Sequence, residues 1–242
     1  MLAQDQEPIN SSNSIKSVAE RYQQKNFVGS SHAWAHQQLD QIDKNIRVLD
    51  IGPAMGLMGE YLKKKGVKEL YAVEIDAETR ARITEIYTQV EATIDPFKDK
   101  KFDLVLMLDV LEHMTDPFEF LESLMPMLAD DASILISLPN VAHWSVRLPL
   151  LFGVFNYYDR GIQDRTHYQW FTRKRAKDLI KATGKLRIDN ESSSIEPIEF
   201  ILPRFIWNNF IFEYCSKLRV KLAELLPGFF AYQHLLKCKK IK

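Results

Sequence analysis

The chain has 242 residues and only two cysteines, Cys215 and Cys238, which excludes a disulfide framework and a cysteine-rich zinc site. Thiol use this sparse fits a reducing compartment. Neither charge is in excess: 32 Lys and Arg balance 32 Asp and Glu, so no overall field draws the chain to nucleic acid. No run of about 18 apolar residues occurs, and no transmembrane helix is expected. Residues 1–14 are polar, rich in Gln, Asn and Ser, and lack the apolar stretch of a signal peptide; they read as a disordered tail. No internal repeat and no Gly/Ser linker divides the rest, so residues 15–242 are expected to form one domain, located in the cytoplasm.

What is present is a chain with 46% apolar residues, enough to bury a sizeable core. The balanced charge is unevenly spread. Residues 89–131 carry eleven Asp or Glu against three Lys, whereas residues 201–242 carry eight Lys or Arg against Glu213 and Glu224. Such blocks are ordinarily solvated faces. The alternative is a basic C-terminal face that meets an anionic partner.

Apolar runs at 47–51, 70–73, 102–108 and 133–138 read as strands, and the segments 57–65, 77–87 and 117–128 read as helices between them. Gly66 suits the C-cap of the first of these helices. Strands that alternate with helices of about ten residues mean βαβ units and a parallel sheet. The strands are continuously apolar, as expected when helices cover both faces. Residues 15–43 read as a helical extension ahead of this core. After Pro139 the pattern loosens: residues 140–172 are rich in aromatics, Arg and His without a clean period. A helix at 173–183, a strand at 186–188, helical spacing over 200–226 and a strand at 231–238 complete the reading.

The strongest local signal is a strand, a tight turn and a helix, in Val48-Leu49-Asp50-Ile51-Gly52-Pro53-Ala54-Met55-Gly56-Leu57. Small residues let the backbone approach a ligand closely, and a helix N-terminus offers unpaired N–H groups. Glu74 follows the next strand, eighteen residues beyond Gly56, where an acid can accept from both hydroxyls of a ribose. A third block runs Phe102-Asp103-Leu104-Val105-Leu106-Met107-Leu108-Asp109-Val110-Leu111-Glu112-His113.

Together these blocks resemble class I S-adenosylmethionine-dependent methyltransferases over about residues 47–238. Further blocks are similar to bacterial methyltransferases of glycan and O-antigen gene clusters and to the ubiquinone O-methyltransferase type. They are Leu138-Pro139-Asn140-Val141-Ala142-His143-Trp144, Gly161-Ile162-Gln163-Asp164-Arg165-Thr166-His167, Phe171-Thr172, and Leu226-Pro227-Gly228-Phe229-Phe230-Ala231-Tyr232-Gln233. The resemblance implies a Rossmann-like, doubly wound, mostly parallel seven-stranded α/β sheet, with a cofactor-binding core at 46–139, a substrate loop region at 140–172 and an aromatic, basic helical insertion at 200–230. It implies S-adenosylmethionine as cofactor, leaving S-adenosylhomocysteine. Asp50, Gly52, Ala54 and Gly56 would line the methionine part at the turn, and Glu74 would hold the ribose. Ile75 would pack on the adenine, Glu91 and Ala92 would meet its edge, and Leu108 and Asp109 would face the methionine end. The turn departs from the family's Gly-x-Gly-x-Gly: Ala54 tolerates positive φ less well than Gly, and Pro53 removes an N–H donor.

The implied reaction is O-methylation of a glycan, a lipid-linked sugar or another small hydroxylated acceptor. A hydroxyl acceptor benefits from a base poised near neutral pH. His143, in the loop after the strand ending at Leu138, is one candidate. His167, with Asp164 to orient it, is the other; Asp164 and Arg165 could also bind sugar hydroxyls or phosphate. His113 reads as a backbone cap. His32 and His36 lack a carboxylate at zinc-site spacing, so no metal is expected; they read as surface or lid positions, with Trp34 over the cofactor pocket. The aromatic and basic residues of 200–230 read as helices packed on the sheet edge or, alternatively, as a peripheral contact with the inner face of a membrane. Two other functions share the turn and the acid. A nicotinamide-dependent oxidoreductase would leave residues 109–113 unexplained. A catalytically inactive cofactor-binding relic has only Pro53 and Ala54 in its favour.

Overall fold

The structure, a computed structural model, describes residue 27 and residues 29–198 and 210–241. The expected tail at 1–14, the first part of the helical extension and the start of the insertion at 200–209 lie outside the described residues. Seven strands form one sheet: β1 (Arg47–Ile51), β2 (Glu69–Val73), β3 (Gln89–Glu91), β4 (Phe102–Leu108), β5 (Leu128–Pro139), β6 (Leu186–Ser194) and β7 (Gln233–Lys240). Their order is β3-β2-β1-β4-β5-β7-β6. Strands β1 to β5 pair in parallel, while β7 runs antiparallel to both β5 and β6. The sheet is therefore the mostly parallel, doubly wound one expected.

Alternate residues of the central strands feed two separate cores. On one face Leu49, Ile51, Val105 and Met107 pack with Leu121 and Ile180. On the other, Val48, Leu104 and Leu106 pack with Leu39, Leu62 and Ile83. Burial on both faces is why these strands are apolar throughout. The first face is covered by α4 (Pro117–Leu124) and α6 (Arg173–Ala182), the second by α1 (Ser31–Leu39), α2 (Leu57–Lys64) and α3 (Ala77–Ile83). The remaining helices are α5 (Trp144–Leu151), α7 (Phe210–Leu225) and the single turn α8 (Pro227–Phe230).

Several boundaries differ from the sequence reading, each for a local reason. The helix expected across 15–43 is interrupted before α1. Gly29 turns the chain at φ 84°, and Ser30 caps α1 by accepting from the Ala33 N–H at 3.1 Å. The helix expected to reach residue 128 stops at Leu124, because Pro126 cannot continue it, and β5 starts at Leu128 with Asp130 and Asp131 exposed. Strand β3 has one apolar residue in three and carried no readable pattern. Strand β6 extends to Ser194 through polar residues because it is an edge strand. Helix α5 lies within the expected loop region; its Pro149 is tolerated near its end.

Candidate active site

The carboxyl ends of β1, β2 and β4 converge on the turn at residues 52–56. Gly52, Ala54 and Gly56 all adopt positive φ, at 63°, 48° and 72°. The left-handed geometry that glycine supplies easily is thus kept with an alanine at its centre. Gly56 ends the turn as the N-cap of α2, with no side-chain cap of its own. Asp50 interrupts the apolar run of β1 and is buried. Its Oδ2 accepts from the Tyr87 hydroxyl at 2.7 Å. Burial pushes its carboxyl up to about 7, against the opposing effect of that hydrogen bond. Tyr87 reaches it only because Gly59 on α2 carries no side chain: a Cβ there would lie 2.3 Å from the tyrosine ring. A cavity of about 50 Å³ opens beside the turn, lined by His32, Asp50, Pro53, Met55 and Leu108 among others.

Glu74 follows β2 and is 7% exposed. Its two carboxylate oxygens accept from the N–H groups of Ala54, at 3.2 Å, and Asp76, at 3.0 Å. Each oxygen keeps a second lone pair for an incoming hydroxyl. Burial raises its pKa from the ordinary value. Ile75, next to it, is 85% exposed, an apolar side chain that a flat ring would cover. Glu91, at the end of β3, accepts the Glu74 N–H on its carbonyl at 2.9 Å and a Gln89 side-chain N–H on Oε1 at 2.8 Å. Ala92 follows it, exposed.

Leu108 ends β4, and Asp109 follows at φ 58°. The Asp109 N–H donates to Ser137 Oγ at 2.9 Å, and its Oδ1 accepts from both the Ser137 hydroxyl and the Gln233 amide at 2.5 Å each. The residues expected to hold the cofactor therefore lie at the ends of four adjacent strands, β3, β2, β1 and β4, where ligands bind in open α/β sheets.

The residues expected on the acceptor side lie in the loop before α6 and at the start of α5. His167 donates from Nδ1 to the Ile162 carbonyl at 2.9 Å, which leaves Nε2 as the acceptor nitrogen. Burial foremost, and the charge of His113, hold its pKa below the ordinary value. Its ring lies 4.8 Å from that of His113 and 5.9 Å from that of Trp170. Asp164 does not orient His167 as anticipated: its Oδ1 accepts from the Thr166 N–H and hydroxyl at 2.8 and 2.7 Å. Arg165 is exposed and pairs with Asp159 at 2.9 Å. His143 is wholly buried as the N-cap of α5. Its Nδ1 meets Ser145 Oγ at 2.8 Å, and its Nε2 stands 3.8 Å from Glu196. An open groove of about 480 Å³ runs from His113 along the start of α4.

A family model described as a methyltransferase domain matches residues 21–185. The chain belongs to this methyltransferase family. Among its relatives, the ubiquinone biosynthesis O-methyltransferase of Cereibacter sphaeroides is 23% identical over 65% of this chain and 67% of that protein. The mitochondrial one of Dictyostelium discoideum is 26% identical over 56% and 47%. A methyltransferase structure from Archaeoglobus fulgidus superposes with a TM-score of 0.55 at 19% identity, covering 86% of this chain and 92% of that one. The magnesium protoporphyrin IX methyltransferase of Synechocystis PCC 6803 does so at 0.54 and 15%, covering 87% and 85%. The methyltransferase is thus of class I, with S-adenosylmethionine as its cofactor, and the nicotinamide reading falls. Its residues suit that cofactor: the buried Glu74 carboxylate has lone pairs to spare for a ribose, and the bare face of Ile75 lies beside it.

Some placements were not legible in the sequence. Trp34 does not cover the pocket: it is buried in the core with Leu39 and Leu62, and His32 lines the cavity instead. His36 stacks on Tyr61 at 4.2 Å and does not share a site with His32. Tyr87 and Ser137 carried no motif, and Gln233, the last residue of a resembling block, was given no role; all three were missed. So was a cluster of metal-ligand type: Glu112, His113 and His167 bring one ligand atom each to within 4.8 Å of one another.

Proposed function

We propose that this methyltransferase O-methylates a glycan, a lipid-linked sugar or another small hydroxylated acceptor, with His167 taking the hydroxyl proton. The observation that carries this reading is the fixed tautomer of His167. With Nδ1 donating to Ile162, Nε2 keeps its lone pair, and the ring packs edge-on against that of His113, which lines the groove. Its lowered pKa keeps the ring neutral at pH 7, as a base must be. S-adenosylmethionine supplies a methyl already activated on a sulfonium. His167 Nε2 would take the proton that the acceptor hydroxyl releases as its oxygen receives that methyl. Glu74, Ile75, Glu91 and Ala92 hold the nucleoside, and Asp50, Gly52, Ala54, Gly56, Leu108 and Asp109 the methionine end, so positioning carries much of the barrier reduction.

His143, buried and capping α5, fits a role in holding the acceptor loop, and Asp164 serves by shaping the turn that presents His167. A groove of about 480 Å³ suits an acceptor of sugar size. The O-methyltransferase names of the relatives agree with oxygen as the target atom. The peripheral membrane contact belongs to the lipid-linked form of this reading. In the described part of 200–230, Tyr214, Leu218, Leu225 and Leu226 are exposed, and Leu148, Leu150, Leu151 and Phe152 lie bare at the end of α5. The deciding experiment incubates the protein with methyl-labelled cofactor and panels of hydroxylated glycans, phenols and amines. Label on a hydroxyl oxygen supports the reading, and label confined to amines overturns it.

A further inference from the structure

We propose that Gln233 is a positioning residue for the methionine end of the cofactor, acting through Asp109. The proposal rests on the reading that Asp109 faces that end. Asp109 has a backbone conformation that L residues rarely adopt, at φ 58°, and its carboxylate stands at the carboxyl edge of the sheet. Something must fix both. Ser137 on β5, fully buried, does half of this. Its hydroxyl donates to Asp109 Oδ1 while its oxygen accepts the Asp109 N–H.

Gln233 does the rest. It is the first residue of β7, paired with Pro139 of β5 on one side and Ser194 of β6 on the other. From there its amide passes beyond the end of β5 and donates to the same Oδ1 at 2.5 Å. Two donors on one oxygen stop the carboxylate from rotating. The orientation of the amide is set at its far end, where Gln233 Oε1 accepts from the Ser194 hydroxyl at 2.9 Å. Turned over, the amide would place its carbonyl against the carboxylate. Gln233 and Ser194 are both buried, so neither end can be satisfied by bulk water. A relay from Ser194 of β6 through Gln233 of β7 thus ends, beside the bond from Ser137 of β5, on one oxygen at the tip of β4. Leucine at this position would fill the space without donating, and glutamate would place a second acid against Asp109.

The test is calorimetric titration of S-adenosylhomocysteine into the full chain and into Gln233→Glu, Gln233→Leu and Asp109→Ala, at pH 6 and pH 8. In Gln233→Glu the two acids cannot readily ionise together. Affinity at pH 8 is expected to fall about tenfold or more relative to wild type. At pH 6 a shared proton lets the introduced carboxylic acid donate as the amide did, and the deficit shrinks several-fold. Gln233→Leu is expected to lose a similar factor at both pH values. A network that only supports the fold would shift melting temperatures and leave the Gln233→Glu to wild-type ratio independent of pH. That result, or an affinity within twofold of wild type at pH 8, overturns the proposal. Should the leucine chain fail to fold, the glutamate ratio decides alone. Unchanged affinity in Asp109→Ala would overturn the reading of Asp109 itself, and the positioning role with it. Weakened binding in Asp109→Ala beside normal binding in both Gln233 variants would overturn the positioning role alone.

Discussion

The Tyr87 hydroxyl donates to Asp50 Oδ2 at 2.7 Å inside the core beneath the cofactor turn. An acid in the middle of an apolar strand is costly there, and the pKa of about 7 expresses that cost. An unfolded Asp titrates near 3.9. Between about pH 4 and pH 7 the folded chain therefore keeps a proton that the unfolded chain has released, so stability falls as pH rises through that window and levels above it. Asp50→Asn removes the effect. The variant is expected to gain stability relative to wild type as pH goes from 5 to 8, by something on the order of a few kcal/mol at most. It should also bind S-adenosylhomocysteine more weakly. Thermal melts at pH 5 and pH 8 check this, and a variant that loses ground at pH 8 contradicts it.

Glu74 and Ala54 are linked by a 3.2 Å hydrogen bond, so the acid proposed to hold the ribose also braces the turn. Hydrogen bonds to a charged group contribute about 1.5–3 kcal/mol each. Glu74→Ala should weaken S-adenosylhomocysteine binding by about tenfold or more while the chain stays folded. Ala54→Gly relaxes a residue at φ 48° and keeps the N–H that Glu74 uses, so binding should stay equal or tighten. A loss beyond about tenfold in Ala54→Gly, read by calorimetry, would show that the methyl group is itself part of the pocket.

The sequence carried the architecture because both sheet faces are buried, and continuous runs such as Leu104, Val105, Leu106 and Met107 have no other home. In it Asp50, Glu74 and Asp109 were legible as candidates because each lies at or just beyond the end of an apolar strand, where ligands bind in open α/β sheets. It did not carry what joins them. Tyr87 meets Asp50 across 37 residues and Gln233 meets Asp109 across 124, and neither spacing follows from a local period. Helix α5 was hidden for a different reason. Only Val146, of its eight residues, is buried, so it has no inward stripe to read. The orienting bond expected from Asp164 to His167 is not made, because a short polar side chain satisfies its nearest backbone first, here Thr166.

The apolar residues at the end of α5 make a prediction of their own. Leu151 and Phe152 are 77% and 85% exposed, and Arg147 of the same helix stacks on Phe229 of α8. Among the described residues no helix is long and apolar enough to cross a membrane. A contact through these residues would be at the surface, with apolar side chains entering the headgroup region. The protein should co-float with vesicles containing anionic lipid, and the double change Leu151→Ser with Phe152→Ser should reduce the bound fraction several-fold. Equal flotation of the two proteins would remove this face from the reading.

His167 and His143 separate cleanly in kinetics. Loss of a general base lowers kcat by about 10²–10⁴-fold while cofactor affinity stays put. His167→Ala should show that loss. The pKa of His167 lies below about 6.5, so the wild-type rate should climb as pH rises through that lower value and level off by neutrality; in His167→Ala this acid limb should vanish. His143→Ala should behave in the opposite way. It removes a buried cap and so lowers the melting temperature, with kcat changed by less than about threefold. Zinc supplies an independent check, because Glu112, His113 and His167 each bring a ligand atom close enough to share an ion, which would tie up the His167 ring. Added zinc should inhibit wild type, and a chelator should restore it. Normal turnover in His167→Ala, with the loss appearing in His143→Ala, would exchange the two roles. Normal turnover in both would leave the displacement to positioning alone.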